Sequence, residues 1–309
     1  MRMECAADAP PFPQRITLEL TNRCNLQCGF CPRKYMEPER GDMDVGLAKR
    51  LIDEMALHAP VQLVPFFRGE TLLHPHWHEI LAHAKACGCG PIQLASNATR
   101  LTPETGAALL ATGLDFVSFS LNPPDPRARA APERTADYAT CRDNVLAFLD
   151  RKAKCGAKTV VQVSTVETQS RSPQIQDFVA FWREKADRVR IYVEHSGDGH
   201  PGSIAEPLPA FDRRQPCKKL FSDMVVYWNG AIAVCNHDWT RQVNGRPLAN
   251  VRHASLAEAW NAPAYNALRQ SHRQGDYAGT DVCRHCDHWK MYYLKDGFLG
   301  RLYLKGEQA

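Results

Sequence analysis

The sequence contains no long apolar run. Its first residues, MRMECAADAPPFPQ, include no apolar stretch of the length of a secretory signal, and no later segment approaches the roughly 20 apolar residues of a membrane-spanning helix. These absences predict a cytoplasmic protein without a membrane partner.

Neither positive nor negative charge is concentrated in any one part of the chain. The formal net charge is +4, and acidic and basic residues are interspersed. Nucleic-acid-binding proteins usually carry a basic tract, and acidic disordered tails carry blocks of like charge. We therefore expect no nucleic-acid partner and no such tail.

Strand and helix patterns alternate through the first two thirds of the chain. Short β-branched or aromatic runs, typical of strands, lie at residues 15–21, 61–67, 91–96, 116–121, 160–167 and 189–195. Amphipathic stretches lie between them, several closed by the glycine that commonly follows a helix. Six β/α units predict an α/β fold with a parallel sheet and outer helices, as an open sheet or a partial barrel.

A second, smaller unit follows. Residues 197–216 are rich in glycine and proline, which indicates a linker. Beyond it, MVVYWNGAIAVC predicts a β-hairpin that turns at Asn229-Gly230, and residues 255–272 predict a helix. We therefore expect an N-terminal arm (1–14), an α/β domain (15–196), the linker (197–216) and a C-terminal domain (217–309).

Three of the twelve cysteines, Cys24, Cys28 and Cys31, directly follow the first strand. In a reducing compartment, cysteines serve metal binding or catalysis more often than disulfides. Tetrahedral zinc usually needs four ligands, and the loop supplies three. A 4Fe–4S cube has four iron corners, so three thiolates would leave one iron open to a small ligand.

Four further cysteines form a separate set. Cys217 and Cys235 flank the predicted hairpin, and Cys283 and Cys286 form a CxxC pair. Such ligands can enclose one metal centre, and their spacing alone fits zinc and an iron–sulfur cluster equally well.

The CxxxCxxC spacing, with Phe30 before the last cysteine and Thr-Asn-Arg before the first, resembles the radical S-adenosylmethionine (SAM) superfamily. The resemblance implies a partial (β/α)6 barrel and a 4Fe–4S cluster on Cys24, Cys28 and Cys31 whose open iron binds SAM. An electron from that cluster would cleave SAM to a 5'-deoxyadenosyl radical, which abstracts a hydrogen atom from the substrate.

Other polar residues fall at strand ends where that family contacts SAM. Arg68-Gly69-Glu70-Thr71 resembles its Gly-Gly-Glu-Pro segment, and Ser120-Leu121-Asn122 resembles its Ser-Leu-Asp ending. Taken singly, such residues are more often strand terminators or caps. The resemblance implies SAM contacts at Phe30, Gly69, Glu70, Ser96, Asn97, Ser120, Asn122 and Arg134.

The downstream pattern C-x12-G-x4-C followed by CxxC resembles the SPASM or twitch extensions of radical SAM enzymes. Tyr292 stands where a full SPASM domain has its next cysteine, so the twitch arrangement matches better. The resemblance implies one auxiliary 4Fe–4S cluster, held by Cys217, Cys235, Cys283 and Cys286, that passes an electron.

Three functions remain open. The first is dehydrogenation or epimerisation of a sugar-like or aminocyclitol-like molecule by a radical SAM oxidoreductase that draws electrons from a flavodoxin or ferredoxin. The second is maturation of a ribosomal peptide, and the third is non-enzymatic metal binding or electron transfer. Candidates for facing the substrate are Arg68, Glu194, His195 and Asp198.

Other conspicuous residues are interpreted as structural. The histidines of the run His74-Pro-His76-Trp-His78 are expected to cap and pack a helix. Cys87 and Cys89 are expected at a helix end on the edge of the sheet opposite the cluster, where they would be inert. Cys5, Cys141 and Cys155 are interpreted as structural or exposed thiols.

Overall fold

The computed structural model describes residues 9–36, 39–124, 137–194, 210–239, 247–293 and 300–306. Its first six strands follow the predicted order: β1 Arg15–Leu18, β2 Gln62–Val64, β3 Gln93–Ser96, β4 Phe116–Ser120, β5 Val160–Glu167 and β6 Arg188–Val193. β1 pairs with β2, and β3 to β6 pair in sequence, all in parallel. A parallel bridge from Leu63 to Ile92 joins the two sets. The predicted parallel α/β fold is confirmed as an incomplete barrel.

The helices of this barrel are α1 Val45–Leu57, α2 Trp77–Ala86, α3 Pro103–Ala111, α4 Tyr138–Cys155 and α5 Ile175–Trp182. Side chains of Asp44, Thr102 and Asp137 accept hydrogen bonds from backbone N–H groups of the first turn and so begin α1, α3 and α4. Gly156, in the left-handed conformation, ends α4. Each helix buries an apolar face, such as Leu51 and Ile52 of α1, in one continuous core.

The predicted hairpin is confirmed as β7 Asp223–Val226 and β8 Ile232–Ala233. Five residues separate these strands, and the Tyr227 N–H donates to the Ala231 carbonyl at 2.9 Å, so the turn itself spans three residues, Trp228 to Gly230, rather than the expected two. The Gly230 N–H donates to the Tyr227 carbonyl at 2.8 Å, and Gly230 has a φ of +84°. A turn closed by a residue in the left-handed region favours glycine, which explains why the Asn-Gly signal located the hairpin but not its length.

The hairpin extends the barrel sheet. β7 pairs in parallel with β1, on the side of β1 away from β2. At the other edge, β9 Gly300–Leu304 pairs antiparallel with β6. Strands of the C-terminal segment therefore belong to both sheets, and hairpin residues such as Met224 and Ile232 lie in the main core.

The expected helix over residues 255–272 is two helices, α6 Leu256–Trp260 and α7 Pro263–Gln274. Pro263 has no N–H for a helical bond and disfavours a helical Ala262, whose ψ is 144°. A short α8 Asp281–Arg284 follows. The structure also has 3-10 turns at Pro32–Tyr35, Thr71–Leu73, Ser172–Gln174, Lys218–Phe221 and His288–Tyr293.

Within these described ranges, no helix has the length and apolar character needed to cross a membrane.

Candidate functional site

A cavity of about 690 Å³ opens at the carboxyl ends of the first strands. All three cysteines of the loop after β1 contribute to its wall. The residues that follow β2, β3 and β4 contribute the opposite side. Residues lining it include Cys24, Cys28, Cys31, Arg33, Arg40, Phe67, Arg68, Gly69, Glu70, Ser96, Asn97, Ser120 and Trp239. The structure thus brings most of the sequence-predicted SAM contacts around the cysteine triplet.

Thr21 and Asn22 hold the start of the cysteine loop. The Thr21 hydroxyl contacts the Asp42 carboxylate at 2.6 Å, and the Asn22 side chain bonds to the Glu39 carbonyl and the Gly41 N–H, both at 2.9 Å. Within the loop, the Cys31 N–H donates to the Cys28 carbonyl at 2.9 Å. The Thr-Asn-Arg segment therefore anchors the loop to the chain that enters α1.

Gly69 packs directly on this loop. A Cβ at position 69 would lie 2.3 Å from the Thr21 carbonyl oxygen and 2.6 Å from that of Arg23, so only glycine fits. The next residue continues the contact, because the Glu70 N–H donates to the Arg23 carbonyl at 2.8 Å. The Gly-Glu pair thus fixes the cysteine loop through backbone contacts.

The Glu70 carboxylate ties the strand ends together. It accepts hydrogen bonds from the Leu72 N–H (3.1 Å), the Ser96 hydroxyl (3.0 Å) and the Asn97 N–H (2.7 Å). Burial raises the pKa of Glu70, and these donors oppose the rise. The Asn97 amide in turn lies 3.9 Å from Cys24 Sγ.

The remaining predicted SAM contacts do not all lie in the cavity wall. Ser120 is exposed to the cavity, whereas the Asn122 side chain accepts a hydrogen bond from the Val166 N–H at 3.0 Å and is not in the cavity wall. The Phe30 ring is half-buried, with the Arg171 guanidinium 5.5 Å from its centroid. Arg134 lies outside the described residues.

Arg68 forms a buried ion pair at the cavity wall. Its guanidinium donates to both Glu19 carboxylate oxygens, at 2.6 and 2.7 Å, and to the Trp239 carbonyl at 3.1 Å. The two charged side chains are 2% and 0% exposed. Glu19 also accepts from the Trp228 N–H at 3.2 Å. A buried charge needs such a partner, so this pair links β1 and β2 to the loops at either end of the β7–β8 hairpin.

Of the other substrate-facing candidates, Glu194 is half-buried at the end of β6, with its N–H bonded to the Glu167 carbonyl at 3.1 Å. It is not among the described residues that line the cavity. His195 and Asp198 lie outside the described residues.

Sequence reasoning missed Arg33, Arg40 and Trp239 as cavity residues. Trp239 comes from the C-terminal segment, and its ring lies 5.5 Å from that of Phe67. No local pattern marks it, because its position depends on pairing between β7 and β1. For Arg33 and Arg40 the only signal was closeness in sequence to the triplet.

The second cysteine set also meets at one site. Cys217, Cys235, Cys283 and Cys286 line one small cavity with His237, His288 and Tyr292. The His237 N–H points at Cys235 Sγ (3.3 Å), and the Arg214 guanidinium bonds to the Cys283 carbonyl. The structure therefore brings together four cysteines that are up to 69 positions apart in the sequence.

Burial dominates the chemistry of these four thiols. It raises the pKa of Cys217 to about 12 and that of Cys283 to about 11, and it raises the pKa of Cys235 and Cys286 as well. Buried thiolates need a cation nearby. The donor set therefore fits a metal or iron–sulfur centre that all four sulfurs would ligate.

Two family profiles match the chain. The profile of the radical SAM superfamily matches residues 18–166, and that of SPASM, an iron–sulfur cluster-binding domain, matches residues 217–287. The first match holds the cysteine triplet, and the second runs from Cys217 to the residue after Cys286.

Among curated proteins, the chain is 22% identical over 295 residues to the tungsten-containing aldehyde ferredoxin oxidoreductase cofactor-modifying protein of Pyrococcus furiosus, with 82% of each chain covered. It is 26% identical to the PqqA peptide cyclase of Xanthomonas axonopodis pv. citri, covering 82% of this chain and 75% of that one. It is 27% identical to the mycofactocin maturase MftC of Mycobacterium tuberculosis, covering 62% of this chain. The chain spans 46% of that maturase, about half its length.

Two solved structures share the fold. BtrN in complex with AdoMet and 2-DOIA has a TM-score of 0.59 at 16% identity, covering 89% of this chain and 92% of BtrN. The enzyme anSMEcpe with bound AdoMet and the Cp18Cys peptide has a TM-score of 0.61 at 13% identity, covering 94% of this chain and 92% of that one. The two profile matches show that the chain carries a radical SAM domain and a SPASM iron–sulfur domain, and these domains imply SAM and 4Fe–4S clusters as cofactors.

Proposed function

We propose that this radical SAM enzyme removes a hydrogen atom from a polar small molecule, sugar-like or aminocyclitol-like, and leaves it dehydrogenated or epimerised. The observation that carries the proposal is the cavity of about 690 Å³ with the cysteine triplet in its wall. That volume lies within the range of about 300–1,000 Å³ typical of small-molecule sites.

Cys24, Cys28 and Cys31 would hold one cluster, with SAM on the iron they leave open. The Gly69–Glu70 segment, Ser96, Asn97 and Ser120 line the same cavity and would orient SAM against it, and Phe30 lies on the cysteine loop. When bound, this pair supplies a 5'-deoxyadenosyl radical. The remaining task of the protein is to position one C–H bond of the substrate and to exclude water.

Two arginines favour a polar substrate. Arg33 and Arg40 lie on the cavity wall with Arg68. Burial lowers the pKa of Arg40, and the charges of Arg33 and Arg68 lower it further. Hydroxyl and carbonyl oxygens of a substrate are stabilised by such donors. Glu194 and His195 remain predicted substrate contacts.

The four-cysteine site favours dehydrogenation. Loss of a hydrogen atom, then of the hydroxyl proton and one electron, converts an alcohol carbon to a ketone, and a fully ligated cluster on these four thiols would supply the electron acceptor. Epimerisation would instead need a thiol at the cavity to return a hydrogen atom. Among described cavity-lining residues, the triplet provides every cysteine.

Peptide maturation is the second candidate. The PqqA peptide cyclase and mycofactocin maturase relatives support it, as does the likeness to anSMEcpe with a bound peptide. For either function we propose a cytoplasmic enzyme with a flavodoxin or ferredoxin as electron donor.

The test is anaerobic reconstitution followed by incubation with SAM, dithionite and a panel of aminocyclitols, sugars and short peptides. We expect about eight irons per chain and formation of 5'-deoxyadenosine that rises with an aminocyclitol or a sugar. Substrate deuterated at the reacting carbon should transfer deuterium into 5'-deoxyadenosine. Stimulation and deuterium transfer by peptides alone would overturn the small-molecule proposal and favour the maturase.

A further inference from the structure

Asp53, His83 and Cys87 form a cluster on the outside of the barrel. Asp53 lies on α1 and His83 on α2, and Cys87 is the C-cap of α2. His83 and Cys87 are four residues apart, so their side chains share one helix face. Sequence reasoning set Cys87 aside as inert, because the neighbour that α1 contributes cannot be read from the local sequence.

The three donor atoms converge. His83 Nε2 lies 2.7 Å from Asp53 Oδ1, and Cys87 Sγ lies 3.5 Å from each of them. In tetrahedral zinc sites, nitrogen and oxygen ligands stand about 3.3 Å apart, and sulfur stands about 3.5 Å from either. Both sulfur distances already match. Only the distance between His83 Nε2 and Asp53 Oδ1 must increase, by about 0.6 Å.

We propose that Asp53, His83 and Cys87 bind one zinc ion, with water as the fourth ligand. A carboxylate, an imidazole and a thiolate together suit zinc better than magnesium or calcium, which prefer oxygen alone. The Asp53 and His83 side chains are 58% and 28% exposed, which gives solvent access to the fourth position.

The surrounding groups are compatible with a cation. The nearby cation Lys49 is bonded to Glu79 at 2.6 Å, which offsets its charge. Cys89 is buried, and its thiol donates to the Ile52 carbonyl at 3.2 Å, so it stands outside the donor set.

The site lies apart from the cysteine triplet. The end of α2 precedes β3, so the cluster lies toward the amino edge of the sheet, away from the triplet. A zinc ion there would clamp α1 to α2. The site is independent of the proposed function.

The test uses the reconstituted holoenzyme, dialysed against zinc and then against buffer, with zinc and iron measured together by mass spectrometry. We expect about one zinc per chain in the wild type and less than about 0.2 in His83→Ala and Cys87→Ser, with iron unchanged. The matched control, Cys155→Ser at the exposed end of α4, should keep its zinc.

Zinc K-edge absorption of the wild type should report one sulfur ligand at about 2.3 Å and nitrogen or oxygen ligands at about 2.0 Å. Zinc should also raise the Tm of the wild type but not of Cys87→Ser. Wild-type enzyme that retains no zinc, or variants that retain as much as the wild type, would overturn the proposal. A spectrum with four sulfur ligands would do so too, because it would place the zinc at the four-cysteine site.

Discussion

The two cysteine sites differ in the size of the cavity they line and in the origin of their residues. The triplet lies half-buried on one loop of eight residues, at the wall of a large open cavity. The four-cysteine site draws on three separate segments, and burial raises the pKa of all four thiols. Three cysteines on the wall of a large cavity suit a centre that must accept a ligand, whereas four cysteines around a small cavity suit one that exchanges only electrons.

The triplet should be indispensable for SAM cleavage. In the triple variant Cys24→Ala/Cys28→Ala/Cys31→Ala we expect 5'-deoxyadenosine formation to fall to background and iron content to fall by about four per chain. Chromatography of the products and iron analysis measure both. Cys155→Ser is the control and should keep full activity. Retention of SAM cleavage in the triple variant would contradict the assignment of the SAM-cleaving cluster to the triplet.

The four-cysteine site should be separable from SAM cleavage. Cys217→Ala/Cys235→Ala should lose about four irons and all substrate turnover, while some uncoupled 5'-deoxyadenosine formation persists. The reason is that the triplet and its cavity remain intact. Loss of zinc instead of iron in this variant would contradict the electron-acceptor role.

The Glu19–Arg68 ion pair links β1 and β2 to the loops of the β7–β8 hairpin. Removing one partner tests how much that link stabilises the fold. Glu19→Gln leaves the Arg68 charge buried without its partner, which should cost about 3–5 kcal/mol of unfolding free energy. Urea denaturation of the holoenzyme measures it. The exposed pair Asp150–Lys154 provides the control, because Asp150→Asn should cost less than about 0.5 kcal/mol. Equal effects of the two variants would show that the buried link is dispensable.

Gly69→Ala should perturb the triplet alone. The new Cβ would press on the Thr21 and Arg23 carbonyls and cost about 1–3 kcal/mol. We expect weaker SAM binding by isothermal titration, with the four-cysteine centre keeping its irons. Gly279→Ala, which meets no atom within 4 Å, should match the wild type. An unchanged SAM affinity in Gly69→Ala would mean that the cysteine loop tolerates displacement.

The local features of the fold could be predicted from the sequence. The β-branched run Val160–Glu167 is β5 without shift, and the cysteine triplet follows β1 as expected. The single helix expected over residues 255–272 was wrong, although Pro263 carried the signal for its break, since proline interrupts a helix. What sequence reasoning could not supply were long-range pairings. The Glu19–Arg68 pair and the convergence of Asp53 with Cys87 each depend on elements that meet only after folding.

Both edges of the parallel strand set are covered by strands from the end of the chain. Thr17 pairs with Val225 on one side, and Ile191 pairs with Arg301 on the other. During synthesis, β1 and β6 therefore remain uncovered edges until β7 and β9 have been made. Uncovered edges recruit other chains, and late, distant pairing slows folding. Premature termination before β9 should thus release an aggregation-prone chain, not a smaller working enzyme.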